Sequence, residues 1–238
     1  MNDVAELTAL RAQIESLERQ QELLLYIVTH DLRSPVMAIL GFAEMLLADS
    51  QGDAPQTQSH KYLEHIRNSA RRQTQVIQDL QQIAQLQQQP LQRQTVDLTA
   101  LVRTIFDSLV SGDSGIAIQI ATTRAVQCDA ELLRTALHSL ITITLKLAES
   151  VAAPALEFGA DIREEELTLW NRTNTTGFDL GADHSLLALF RHLQVRAELG
   201  DTGLGLLSAA VIIHRHGGRM WLSTASDQRI CIYFTLPR

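Results

Sequence analysis

Apolar residues in the first third of the chain fall on a helical period. Leu7, Leu10, Ile14, Leu17, Gln21, Leu24 and Val28 step by three and four, the spacing of a coiled-coil seam. A second column, Leu25, Leu32, Ile39 and Leu46, recurs every seven residues and carries the apolar face past Pro35, where a kink is expected. The stretch from Asp49 to Pro55 has turn chemistry and no periodicity, so it ends the first helix. Leu63, Ile66, Ala70, Gln73, Ile77, Leu80 and Ala84 then define a second amphipathic helix that folds back antiparallel on the first. Two stripes this wide exceed what one hairpin covers, and pairing with a second copy into a dimeric four-helix bundle is the expected solution.

The pattern changes near residue 90. Ten of the twelve glycines lie beyond Pro90, and short apolar segments begin to alternate with helical ones. The glutamine-rich run from Gln73 to Gln94 reads as a solvated helix face followed by a linker. Beyond it, Asp97 to Val110 predicts an amphipathic helix and Ile116 to Ile120 a strand. Asp129 to Ser150 predicts a second helix with Asp129 as its N-cap. Glu166 to Trp170 and Ile230 to Leu236 predict strands. The helix Gly205 to His216 is ended by Gly217-Gly218, with His214 and His216 at its C-terminus, where a protonated ring is favourable. The expected fold is α+β: residues 1–92 form a coiled-coil lead and helical hairpin, and residues 93–238 an α/β sandwich with helices on one face of a sheet.

Composition narrows the function. A formal net charge of −7 and a pI near 5.6 exclude a nucleic-acid binder, which needs a basic surface, and no Lys/Arg cluster compensates locally. The polar, acidic start Met1-Asn2-Asp3-Val4 is not a signal peptide, and no apolar run approaches the roughly 18 residues needed to span a bilayer. A cytosolic protein with no membrane partner is expected. Cys128 and Cys231 lack the spacing of a disulfide framework or zinc site and read as buried small apolar residues, and no metal site is indicated.

The sharpest local feature is Thr29-His30-Asp31-Leu32-Arg33-Ser34-Pro35 within the first helix. It resembles the phospho-acceptor H-box of sensor histidine kinases. A neutral imidazole, with an unperturbed pKa near 6.5, is a good nucleophile at neutral pH, and its phosphorylation gives a labile phosphoramidate. The resemblance implies that His30 accepts the phosphoryl group and that Asp31 orients the ring or takes up its proton. Ser34, four residues on and therefore on the same helix face, matches the position that places a hydrolytic water in family members acting as phosphatases, where Thr or Asn is usual.

The C-terminal part resembles the catalytic and ATP-binding domain of the same family, an α/β sandwich shared with gyrase and MutL. Gly200-Asp201-Thr202-Gly203-Leu204-Gly205-Leu206 is similar to the second glycine box, in which glycines such as Gly203 and Gly205 let backbone N–H groups approach phosphates at a helix start. His216-Gly217-Gly218-Arg219-Met220, a strand, and Tyr233-Phe234-Thr235-Leu236-Pro237 resemble the closing turn and terminal strand, and Leu187 to Phe190 stands where the phenylalanine box lies. Lys146 falls at the nucleotide-contacting lysine. Elsewhere the chain departs from the pattern. Ser139 and Ile143 replace the N-box asparagines, and the hydrocarbon side chain of isoleucine offers no oxygen to Mg²⁺. Where the first glycine box reads Asp-x-Gly-x-Gly, this chain reads Asn171-Arg172-Thr173-Asn174-Thr175, leaving Asn171 one acceptor oxygen for an adenine amine. Asp179-Leu180-Gly181 is a substitute only if the loop is shifted.

The expectation is a dimeric, histidine-kinase-like protein of two-component signalling with weak or absent Mg-ATP binding. His30 exchanges a phosphoryl group with an aspartate on a response-regulator receiver domain, and input arrives through an upstream sensor or kinase or through the helix before His30. One alternative is an active autokinase using ATP and Mg²⁺ through Lys146, Asn171, Gly203 and Gly205. Another is a non-catalytic dimeric adaptor for receiver domains.

Overall fold

A computed structural model describes residue 28, residues 32–48, 56–110, 115–121, 123–148, 151–162, 166–175, residues 186 and 189, and residues 202–224 and 229–237. These divide into two compact units, one within Glu22–Gln85 and one within Leu86–Arg238. The expected coiled-coil lead, the turn from Asp49 to Pro55 and the phenylalanine box at Phe190 lie outside the described residues.

The first unit pairs helix α1, residues 32–48, with helix α2, Gln56–Gln88. Phe42 of α1 stacks on His65 with ring centroids 4.4 Å apart and lies tilted against Tyr62 at 6.1 Å, which sets the two helices side by side as a hairpin. Pro35 is buried inside α1, while the residues bearing the expected kink on its N-terminal side, 29–31, lie outside the described ones. The stripe on α2 corrects the expected one by one residue. Val76 and Ile83 are buried, in a heptad column with Tyr62 and Ser69, whereas Leu63, Ala70, Ile77 and Ala84 form the adjacent, exposed column. Both columns carry apolar residues and share the half-buried Ile66, Gln73 and Leu80 as a common edge, so spacing alone does not tell which one a single copy closes off.

The second unit is the α/β sandwich. Strands β1 (Arg93–Asp97) and β3 (Ala125–Asp129) form an antiparallel ribbon, with Arg93 opposite Asp129. A five-stranded sheet has the order β2 (Ala117–Ile120), β4 (Ala155–Ile162), β5 (Glu166–Thr173), β7 (Ile230–Pro237), β6 (Met220–Thr224); only the β2–β4 pair is parallel. Helices α3 (Leu98–Leu109), α4 (Ala130–Ala148) and α5 (Thr202–Arg215) make the other layer, with α4 across β4 and β5 between its two neighbours.

Local chemistry fixes the helix ends. Asp97 caps α3 by accepting from the Ala100 N–H at 3.1 Å, and Asp129 caps α4 by accepting from the Leu132 N–H at 3.1 Å. Gly217, at φ +86°, takes the left-handed conformation after α5, and the Gly218 N–H returns to the Ile213 carbonyl at 3.0 Å. Gly218 also lies against the Thr235 carbonyl, leaving no space for a β-carbon. The core between the layers holds Phe106, Leu133, Leu137, Leu140, Ile141 and Ile143 from the helices and Phe158 and Phe234 from the sheet. Strand β5 alternates half-buried and buried positions, as a strand covered on one face should. Cys128 and Cys231 are buried and unpaired, as expected, and burial pushes both thiols up to about 11, so they stay protonated at neutral pH.

On the opposite face of the sheet, Gly159, Trp170, Tyr233 and Trp221 stand in one row across β4, β5, β7 and β6. Trp221 stacks on Tyr233 at 5.4 Å, and Arg172 lies 4.8 Å over Trp170. The Trp170 indole occupies the place where a side chain at Gly159 would stand. Gly159→Ala is therefore expected to displace the indole and cost about 1–3 kcal/mol, read as a lower urea midpoint and altered tryptophan fluorescence. Gly205→Ala, where a β-carbon meets nothing nearer than the Ser139 hydroxyl at 3.4 Å, should leave the midpoint unchanged or raise it.

Candidate functional site

His30 and Asp31 lie outside the described residues. The rest of the H-box is helical: Leu32 is half-buried, Arg33 and Ser34 are exposed, and Pro35 is buried. The Ser34 hydroxyl is thus open to solvent on α1.

The residues aligned with nucleotide contacts gather along α4. Asn171, 1% exposed on the inner face of β5, donates its amide to the Thr144 hydroxyl at 2.8 Å and to the Leu140 carbonyl at 3.3 Å. Thr144 donates in turn to the Leu140 carbonyl at 2.8 Å. Because a carbonyl only accepts, this arrangement points the Asn171 NH₂ at α4 and leaves its buried Oδ1 without a donor among the described residues. Thr173 and Thr175 are buried as well. Their hydroxyls meet at 3.1 Å, and Thr175 donates to the Leu147 carbonyl at 2.8 Å, satisfying an acceptor in the last turn of α4. Ile143 is 1% exposed, packed in the apolar core. Lys146 is half-buried in the last turn of α4, where a cation complements the helix dipole.

Gly203 and Gly205 fall in the first turn of α5, which begins at Thr202, three residues earlier than the sequence pattern places it. Gly205 faces Ser139, so its missing side chain brings α5 close to α4. The fold thus sets Asn171 of β5 and Gly205 of α5 against α4, the helix that carries Lys146.

A second polar cluster at the N-terminal end of α4 was not legible in the sequence. His216 is 1% exposed. Its Nε2 accepts the Asp129 N–H at 3.0 Å and its Nδ1 donates to the Ile212 carbonyl at 2.7 Å. This corrects the reading of His216 as a helix-end cation. Burial foremost, and then Arg93 and Arg215, hold its pKa below the ordinary histidine value against the opposing pull of the Ile212 carbonyl and Asp129. Only the Gly-Gly turn after it hinted that the ring is drawn inward.

Comparisons with known proteins bear on the two parts of the chain separately. Residues 20–89 match the family profile of the His Kinase A (phospho-acceptor) domain. Cyanobacterial phytochrome B of Nostoc sp. is 28% identical over 97% of this chain, and phytochrome-like protein Cph1 of Synechocystis sp. is 23% identical over 100% of it. The chain spans 31% and 32% of those two proteins' lengths. Among solved structures, the histidine kinase ThkA in complex with the response regulator TrrA superposes with a TM-score of 0.61 at 15% identity, over all of this chain and 67% of that one. The Acinetobacter baumannii histidine kinase AdeS gives 0.56 at 16% identity, over 87% and 97%. The chain therefore carries a HisKA-like phospho-acceptor segment followed by a domain with the ATPase fold typical of sensor histidine kinases. In these two parts it is similar to sensor histidine kinases. No helix among the described residues is long and apolar enough to cross a membrane.

The threonine cluster can be weighed directly. Thr175→Val keeps the shape but removes the hydroxyl that bridges Thr173 and the Leu147 carbonyl, and losing these two bonds is expected to cost about 1–3 kcal/mol in urea unfolding. Thr123→Val, in the half-buried loop before β3, gives up one hydroxyl contact at 3.2 Å and should cost less.

Proposed function

We propose that this chain is a dimeric phosphotransfer protein in which His30 exchanges a phosphoryl group with the aspartate of a response-regulator receiver domain, without an ATP-driven step of its own. In the proposed division, residues 1–92 hold the acceptor and residues 93–238 are an ATPase-like domain that no longer takes Mg-ATP. The observation that carries the second half is the closed polar core between α4 and β5. Thr173 and Thr175 fill and bridge the places that the resembling family keeps as glycine, and the Asn171 amide is committed to α4. Ile143 is core and offers no oxygen to a cation. The residues present do not fit Mg-ATP, and no step is routed through it.

The acceptor chemistry rests on the HisKA-like segment and its H-box. A neutral ring nitrogen of His30 attacks the phosphorus of an aspartyl phosphate; the N–P bond forms as the P–O bond breaks, and the aspartate leaves as carboxylate. Asp31 takes up or holds the proton of the other ring nitrogen. The reverse transfer uses the same groups. The response regulator bound to ThkA in its solved complex supports a receiver domain as the partner.

One observation favours the autokinase alternative. Asn171 Oδ1 is a buried acceptor with no donor among the described residues, which an exocyclic amine of a base would complete. The two readings separate in two measurements. A phosphorylated receiver is expected to place acid-labile label on the wild type and none on His30→Ala. Calorimetry should find no saturable Mg-ATP binding below roughly millimolar, since losing the metal contact and altering the base contact each remove about one or more factors of ten. Micromolar affinity abolished by Gly203→Ala plus Gly205→Ala would establish the autokinase instead.

The dimer is supported by what one copy leaves open. Met37 is 59% exposed, Leu40 51%, Leu47 66%, Leu63 50% and Ile77 45%. Burying one leucine-sized side chain contributes roughly 1.5–3 kcal/mol, so an interface covering this column is self-sustaining. Leu40→Glu with Ile77→Glu is expected to give a folded monomer by light scattering and circular dichroism. A monomeric wild type at micromolar concentration would refute the dimer.

A further inference from the structure

The residues that follow α2 are tied down on the C-terminal unit by groups converging on His216. Gln92 donates its backbone N–H to Asp129 Oδ2 at 2.9 Å. Arg93 reaches the carbonyls of Gln127 and His216, each at 3.5 Å, and Arg215 donates to the Gln89 carbonyl. Asp129 anchors the Gln92 tie, and its own place is fixed twice over: its other oxygen caps α4 and its own N–H is held by His216 Nε2. The ring satisfies both neighbours in one state only. The Ile212 carbonyl demands a proton on Nδ1 and the Asp129 N–H demands a lone pair on Nε2, which defines a neutral imidazole. A proton on Nε2 would set N–H against N–H at 3.0 Å.

We propose that His216 is a proton-gated clamp on the junction between α2 and β1: neutral, it holds Asp129 and with it the Gln92 N–H; protonated, it releases that tie. The groups that face the ring are Asp129 at the start of α4, Arg93 from β1 and Arg215 from its own helix. Burial and the two arginines oppose protonation, and Asp129 favours it. Burial pushes the Asp129 carboxyl up, but the N–H groups of Gln92, Leu132 and Glu131 outweigh that and hold it below the usual carboxylate range, so it stays ionised while the ring titrates. Cys128 beside it, pushed up to about 11, stays neutral. A histidine pKa lower in the folded state than in the unfolded one gives stability that is complete above the ordinary value of about 6.5 and is lost as pH falls below it. The clamp is therefore closed at neutral pH and opens on the acid side. It acts on the only covalent path from the hairpin to the C-terminal unit and does not depend on whether His30 carries phosphate.

The test is amide hydrogen exchange by NMR on the full chain between about pH 8 and about pH 5, corrected for intrinsic rates, with the His216 ring titrated in the same samples. The Gln92 amide should lose protection as the ring protonates, roughly tenfold for each pH unit below its midpoint, while Leu169 in the central sheet keeps its own. In His216→Gln, whose side-chain oxygen accepts without titrating, Gln92 protection should no longer follow pH. Gln92 protection that stays constant while the wild-type ring titrates, a ring that never protonates in this range, or the same pH dependence in His216→Gln would each overturn the clamp. If the variant does not fold, the wild-type comparison of ring and amide decides alone.

Discussion

Strand β5 sends two leucines and then two polar side chains into the same dry interior, with a third polar residue just beyond, and the fold is arranged around satisfying them. Leu167 and Leu169 need only apolar neighbours, but Asn171, Thr173 and Thr175 each lose water on burial. A buried polar group without a partner costs about 1–3 kcal/mol, comparable to the gain from burying a leucine. Helix α4 meets the demand by turning acceptors toward β5: the Thr144 hydroxyl and Leu140 carbonyl for Asn171, and the Leu147 carbonyl for Thr175. Apolar packing is non-directional and would let α4 slide along the sheet. These directed bonds near its C-terminal end, with the Asp129–His216 bond at its N-terminal end, fix its register.

What the sequence made legible follows from how far apart the interacting residues lie. Caps act over three residues, so Asp97 and Asp129 declared the starts of α3 and α4, and Gly217-Gly218 declared the end of α5. The strands β1, β3 and β4 went unread for local reasons. The first two are five-residue pieces with polar outer positions, and β4 alternates Leu156, Phe158, Ala160 and Ile162 with Glu157, Gly159 and Asp161 but is interrupted at its centre by a glycine. Gly159 looks like a break until Trp170, eleven residues on and in register with it, is seen to fill its place. On α2 the period was right and the buried column was not, since both neighbouring columns are apolar.

The candidate site was legible as a motif and illegible as an environment. Asn171 meets Thr144 across 27 residues, His216 meets Asp129 across 87, and Arg93 reaches His216 across 123. No local pattern encodes such pairings. The histidine before the glycine turn had been placed by its position on a helix end, where charge is favourable. Tertiary burial reversed the sign of that argument, because a ring with both nitrogens engaged by backbone groups has no room for a second proton.

Three of the positions where this chain departs from the resembling family share one property. Ile143, Thr173 and Thr175 are each 3% exposed or less, so each has become part of the interior. Interior residues couple through shared partners, and their effects are not additive at contact distance. Thr173 depends on Thr175, and Thr175 on the end of α4, while Asn171 depends on Thr144 one turn before it. An oxygen placed at position 143 would therefore enter a core already closed by three other side chains. On the proposed reading, the loss of a nucleotide pocket and the gain of a stable core are the same event. The Asn171 Oδ1, left without a donor among the described residues, marks where the two demands still conflict.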